Sequence, residues 1–346
     1  MSSGSSLIGA AVAALLALAG IGIYGSSAEP EGAASAKAAY RRPAAIPFPA
    51  DNPYSDAKAE LGRTLFFDPR VSGAGNIACA TCHNPGLAWS DGLATAIGVG
   101  AQRLQRRSPT LLNLAWGTPL MWDGRFDDLE HQAAGPVIAP GEMNQTMPAL
   151  AAKLAALPGY RRLFDSAFPG EGIREKTITQ AIATFERGIV SGKAPFDRWI
   201  EGDESAISES AERGFALFNG KGRCAQCHSG WRFTDDSFHD IGLPDDDLGR
   251  GRIRPKVPLL QHAFKTPGLR NAAQRAPYMH DGSVPTLIAV MRHYNDGFVA
   301  RPSLSPEMKP LHLSDAEMND LVSFMLALTS EDAPVAVPAL PAQEEQ

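Results

Sequence analysis

Cysteine is scarce in this chain, with four in 346 residues. That scarcity excludes a disulfide-dense scaffold, in which crosslinks stand in for a hydrophobic core, and it makes the placement of the four informative. Excess positive charge is missing as well: 32 Lys and Arg stand against 38 Asp and Glu, for a net charge of −6. A chain with that balance carries no electrostatic footprint for nucleic acid. Sustained alternation of apolar and polar residues is also absent, which sets aside a β-sandwich or barrel. What remains is a globular composition, 44% hydrophobic and 20% charged, long enough for two domains that each bury a core.

No basic residue precedes Lys37. Residues Leu7 to Tyr24 are apolar or glycine, and Gly25-Ser-Ser-Ala28-Glu-Pro follows. Residues 1–28 therefore read as a secretory signal cleaved after Ala28, although its basic n-region is lacking. A stretch of that length also serves as an uncleaved anchor. Either reading exports the rest of the chain to the periplasm, with the membrane involved only if the segment stays attached.

Export would favour two disulfides, but each cysteine pair is followed at once by histidine: Cys79-Ala-Thr-Cys82-His83 and Cys224-Ala-Gln-Cys227-His228. Disulfides have no use for that histidine. Covalent haem does, because two thioether bonds hold the porphyrin while the adjacent imidazole reaches the iron. Two such motifs consuming every cysteine imply two covalently bound haem c groups, attached through Cys79, Cys82, Cys224 and Cys227, with His83 and His228 as iron ligands.

Residues 29–50 are rich in Ala and Pro and read as a linker, and residues 334–346 as a disordered tail. Between them the spacing is helical, with segments at Met147–Ala156, Glu175–Ile189 and Ser314–Thr329, the last opening on a capping box, Ser314 to Glu317. An internal repeat organises this stretch. Gly62-Arg-Thr-Leu65-Phe66 precedes the first haem motif and Gly214-Phe-Ala-Leu217-Phe218 the second. Beyond the motifs, nine identities fall within twenty-one ungapped positions at an offset of 158 residues, from Pro109 with Pro267 to Leu129 with Leu287. The expected fold is all-α, two tandem cytochrome c-like haem domains related by internal duplication, over residues 51–195 and 206–333. At the same offset the halves differ: Trp122 pairs with His280, Pro136 with Tyr294, and Glu142 with Ala300.

The runs Leu61-Gly-Arg-Thr-Leu-Phe-Phe-Asp-Pro-Arg70, Ser108-Pro-Thr-Leu-Leu-Asn113, Met121-Trp-Asp-Gly-Arg125, Glu142-Met143 and Ala276-Pro-Tyr-Met-His-Asp-Gly282 resemble the bacterial dihaem cytochrome c peroxidase and MauG family, over roughly residues 55–330. The resemblance implies a peroxide-reactive N-terminal haem and a C-terminal haem that stores the second oxidising equivalent. It places Trp122 between the haems and Gln132 and Glu142 in the distal pocket, with Glu142 as the proton-transferring base. Where many relatives carry a histidine that caps the N-terminal iron, this chain has Val99, and Pro136 has no donor either, so that iron is expected to be open. At the C-terminal iron the position of a methionine ligand is taken by Tyr294, with Met291 and His293 as neighbouring alternatives; a tyrosine there resembles the MauG-like branch. In that branch a partner protein is oxidised, but Gly222 stands where MauG has a relay tryptophan, which leaves Trp231 and Trp199 as substitutes or plain packing. Calcium, usual between the haems, is doubtful because Arg107 stands where its asparagine ligand would be. The expected partners are hydrogen peroxide and either a periplasmic protein substrate or a small electron-donor protein, a cytochrome or a cupredoxin. A dihaem carrier without peroxide chemistry is the remaining alternative.

Overall fold

The computed structural model describes residues 37–342, so the expected export segment, the start of the linker and the last four residues lie outside the described residues. Ten helices are described: α1 (Asp56–Phe67), α2 (Cys79–Cys82), α3 (Leu129–Ile138), α4 (Met147–Ala155), α5 (Pro158–Ala167), α6 (Glu175–Arg187), α7 (Pro195–Ile200), α8 (Glu209–Asn219), α9 (Leu287–Asp296) and α10 (Asp315–Ala327). The only sheet among the described residues pairs two-residue strands, β1 (Phe238–His239) antiparallel to β2 (Phe264–Lys265). Among the described residues no helix is long and apolar enough to cross a membrane.

Each half is built around one helix crossing. Ser55 caps α1 by accepting from the Lys58 N–H, and Ser208 caps α8 by accepting from Ala211. Helix α1 then crosses α6 at Gly62, where a Cβ would overlap the Ala181 carbonyl oxygen, and α8 crosses α10 at Gly214, where a Cβ would overlap that of Asp320. The two glycines of the repeat thus let the backbones approach. Helix α10 starts where its capping box predicts: the Glu317 N–H donates to Ser314 Oγ (3.2 Å) and the Ser314 N–H to Glu317 Oε2 (2.8 Å).

The first core joins Leu61, Leu65, Leu150, Leu154, Tyr160, Phe164, Ile178 and Ile182; the second joins Phe215, Phe218, Phe233, Leu321 and Phe324. Each such side chain taken from water contributes about 1.5–3 kcal/mol. The duplication extends into the loops. Asn113 and Asn271 both adopt left-handed backbone (φ 64° and 55°), and Met121 and Met279 share φ 71°. Asn113 accepts from the Ser191 N–H and Asn271 from the Ser330 N–H, at 3.1 and 3.0 Å.

The termini cross over. Tyr40, in the expected linker, is buried in the second core, stacked on Phe233 at 4.9 Å, and its hydroxyl donates to Asn219 (2.8 Å). At the other end, the expected tail runs back along the first half: Ala336 accepts from Arg63 (3.1 Å) and Pro341 packs on Gly159. Phe196, Trp199 and Ile200 of α7, on the segment that joins the halves, are also buried in the second core.

Candidate active site

Both haem motifs present the same local device. Helix α2 ends at His83, whose Nδ1 lies 3.3 Å from the Trp89 carbonyl oxygen; His228 Nδ1 lies 2.9 Å from that of Phe233. A carbonyl only accepts, so Nδ1 carries the proton and Nε2 is left with its lone pair for a metal. Burial lowers the pKa of both imidazoles, keeping them neutral. No disulfide joins any of the four cysteines, and burial raises the pKa of the Cys79, Cys82 and Cys224 side chains. Unpaired cysteine side chains beside a histidine with a free Nε2 fit thioether-bound haem at each motif.

A cavity of about 510 Å³ opens over the first motif. Its walls include Cys79, Cys82 and His83 from the motif, Gln132 and Pro136 from α3, Glu142 from the following loop, and Trp122. The backbone explains how Glu142 gets there: its carbonyl accepts from the Val99 N–H (2.9 Å), and Gly98 lies so close to Gly141 that a Cβ would overlap the Gly141 carbonyl oxygen. Val99 therefore fastens the Glu142 loop, while its own side chain packs at the edge of the first core. Burial raises the Glu142 carboxyl above its ordinary value, against the lowering influence of Arg125. Gln132 Nε2 rests 3.6 Å from Met121 Sδ.

Trp122 is held by both halves. Its indole N–H donates to the Arg107 carbonyl (3.0 Å), and its own carbonyl accepts from the Lys265 N–H (2.8 Å). Its repeat partner His280 meets it edge-on at 6.4 Å and stacks on Phe264. In the second half α9 repeats α3 at an offset of 158 residues, so Tyr294 takes the place that Pro136 holds in the first half, and burial raises its phenol. The two neighbouring alternatives are engaged elsewhere: His293 Nε2 bonds to the Ile241 carbonyl (2.9 Å), and Met291 is in the second core.

Arg107 is buried, with one guanidinium nitrogen donating to the Arg275 carbonyl (2.8 Å) and another to Ser90 Oγ (3.1 Å). Burial lowers the pKa of Arg107 and Arg275, and Arg107 helps depress that of Arg275. Two neighbouring guanidinium groups, Arg107 buried and Arg275 half-buried, oppose a divalent cation, so these residues do not fit calcium.

Trp231 meets Trp116 edge-on at 4.8 Å, while Trp199 lies under Lys37 in the second core. Glu186 was not found from sequence. It lines the first cavity from α6, yet next to Arg187 in a helical stretch it looks like part of a solvated charged face; only the tertiary fold buries it.

Two tandem cytochrome c-like domains with a thioether-ready motif in each define a c-type dihaem cytochrome. The comparisons narrow this further. A family model described as di-haem cytochrome c peroxidase matches residues 56–205, and a cytochrome c model matches residues 211–329. The chain is 55% identical to a methylamine utilization protein MauG of Methylorubrum extorquens over 311 residues, covering 89% of this chain and 88% of the relative. It is 50% identical to the MauG of Methylophilus methylotrophus, over 87% of this chain and 91% of that one. The crystal structure of a MauG-like protein associated with microbial copper homeostasis superposes with a TM-score of 0.77 at 32% identity, covering 84% of this chain and 95% of that one. The chain belongs to the dihaem cytochrome c peroxidase and MauG family. It is a haem peroxidase-type oxidoreductase carrying two covalently attached c-type haems.

Proposed function

We propose that the protein uses hydrogen peroxide at its first haem and withdraws electrons from an exported protein partner in the periplasm, as a MauG-like enzyme. The observation that carries this is the asymmetry of the two halves. The first cavity gathers Gln132, Glu142 and Pro136, none of them a strong iron ligand, whereas the second half carries Tyr294 at the helix position of Pro136. Bound haem supplies the redox chemistry. The chain supplies proton handling: Glu142 takes a proton from peroxide and delivers it to the departing oxygen, and Gln132 orients the peroxide by hydrogen bonding. Trp122, fastened to both halves, is the aromatic bridge between the two centres. With haem attached, Tyr294 would offer its phenol oxygen to the second iron, which His228 would hold; burial favours the protonated phenol, and the positive charge of a bound iron would offset that. A hard oxygen ligand stabilises the oxidised metal.

The deciding experiment adds one equivalent of peroxide to the diferric protein. The expected result is prompt loss of both ferric signals without prior reduction. If reaction requires one-electron reduction first, the protein is a conventional peroxidase supplied by a small cytochrome or cupredoxin. Inertness in both states would leave only an electron carrier.

A further inference from the structure

Glu186 is a buried acid that the peroxide chemistry leaves unused. Its side chain is 5% exposed, lines the first cavity, and its Oε2 has no hydrogen-bond partner. A buried carboxylate needs a counter-charge or several donors. The adjacent cation, Arg187, is already committed, with its guanidinium paired to both Glu130 oxygens at 2.6 and 2.7 Å. The charges that reach Glu186 are those of Arg187 on its own helix and Glu130 on α3. On α1 and α4, Lys58, Arg63 and Lys153 bond to Asn52, Glu60 and Arg70 instead. From α2 it faces Cys79, which carries no charge once joined to haem. Glu142 and Arg125, the distal acid and its neighbouring cation, line the same cavity.

Comparing the halves isolates the position. The crossing that places Gly62 against Ala181 and Phe185 places Gly214 against Asp320 and Phe324, so Glu186 corresponds to Met325. The second half fills this site with a buried thioether, and the first half with an acid.

We propose that Glu186 is a proton-holding acid of the first haem slot, protonated while that haem is reduced and ionised when it is oxidised. When a one-electron acceptor, in the titration a redox mediator, takes an electron from the first haem, one proton would leave the Glu186 carboxyl for solvent. The carboxylate left behind offsets the added positive charge. Burial, which pushes this carboxyl up to about 8, sets where the coupling shows. The inference rests on the attached haems and not on the peroxide reading, so failure of the peroxide experiment leaves it standing.

The test is potentiometric titration of the holoprotein, followed at the first haem's own absorption from about pH 6 to 10. In the wild type the midpoint falls with rising pH, by about one proton per electron, and levels once the acid is ionised in both redox states. Glu186→Gln and Glu186→Met should each abolish that segment, with the second haem's titration unchanged as the check on folding; Glu142→Gln should retain it. The same pH dependence in both Glu186 variants overturns the proposal, as does its loss in Glu142→Gln alone. Redox-difference infrared spectra of the wild type give an answer that needs no variant. A protonated-carboxyl band should disappear on oxidation, and its absence rejects the idea.

Discussion

At the scale of single residues, Glu142 and Glu186 show what spacing can and cannot reveal. Glu142 could be singled out because it stands at the family's spacing after Trp122 and its repeat position holds Ala300; it lines the first cavity. Removing its proton-transfer capacity while keeping its shape, by Glu142→Gln, should slow the reaction with peroxide by about 10²-fold or more. Stopped-flow mixing measures this directly, and an unchanged rate would remove Glu142 from the proton path. Glu186 was invisible because the same sequence pattern describes an exposed helical carboxylate; its burial depends on α1 and α3 closing over α6. Arg107 is a third kind of case. Its substitution of a cation for an oxygen donor was readable, and the structure supplies the reason it matters, a second, half-buried guanidinium at Arg275. Treatment with a strong calcium chelator should therefore leave the spectra of both haems and the peroxide rate unchanged. A chelator-sensitive second haem would show that a cation is bound after all.

Among elements, the helix crossings are the most constrained feature. The repeat marked Gly62 and Gly214 as equivalent, but a glycine in a helix ordinarily costs about 1 kcal/mol, so sequence alone offered only a penalty. The crossing gives the compensation: α1 on α6 and α8 on α10 approach so closely that a single methyl meets a backbone carbonyl, which cannot swing away as a flexible side chain would. Gly62→Ala and Gly214→Ala are each expected to destabilise the protein by about 1–3 kcal/mol through overpacking, despite the better helix propensity of alanine. Thermal unfolding of the holoprotein checks this, and a gain in stability for either variant would mean that the helices slide apart at little cost. The long amphipathic helices were legible from their period, Glu175–Arg187 and Asp315–Ala327 among them. The short α7 was not, because six residues give periodicity too little to work on.

Across the whole molecule the halves are bound by their ends. Composition suggested a linker before residue 51 and a free tail after residue 333, since Ala, Pro and Glu carry no periodic signal. The described part of that linker instead threads Tyr40 into the second core, and the tail lies along the first half. A lone aromatic in a low-complexity stretch finds its partners only in three dimensions, so local pattern could not have placed it. Its position has a functional consequence. Tyr40 stacks on Phe233 at 4.9 Å and meets Phe215 edge-on at 5.5 Å, and the carbonyl of Phe233 is the acceptor that orients His228. Loss of the ring leaves a cavity directly behind the residue that aims the second haem's ligand. Tyr40→Ala should cost about 3–5 kcal/mol, the range for deleting a buried aromatic, and the loss should be uneven. On heating, the second haem should lose its native ligation at lower temperature than in the wild type, while the first, whose His83 is oriented by Trp89 in a separate core cluster, keeps its spectrum longer. Simultaneous loss at both haems would mean that the two halves unfold as one unit, with the crossed termini as the reason.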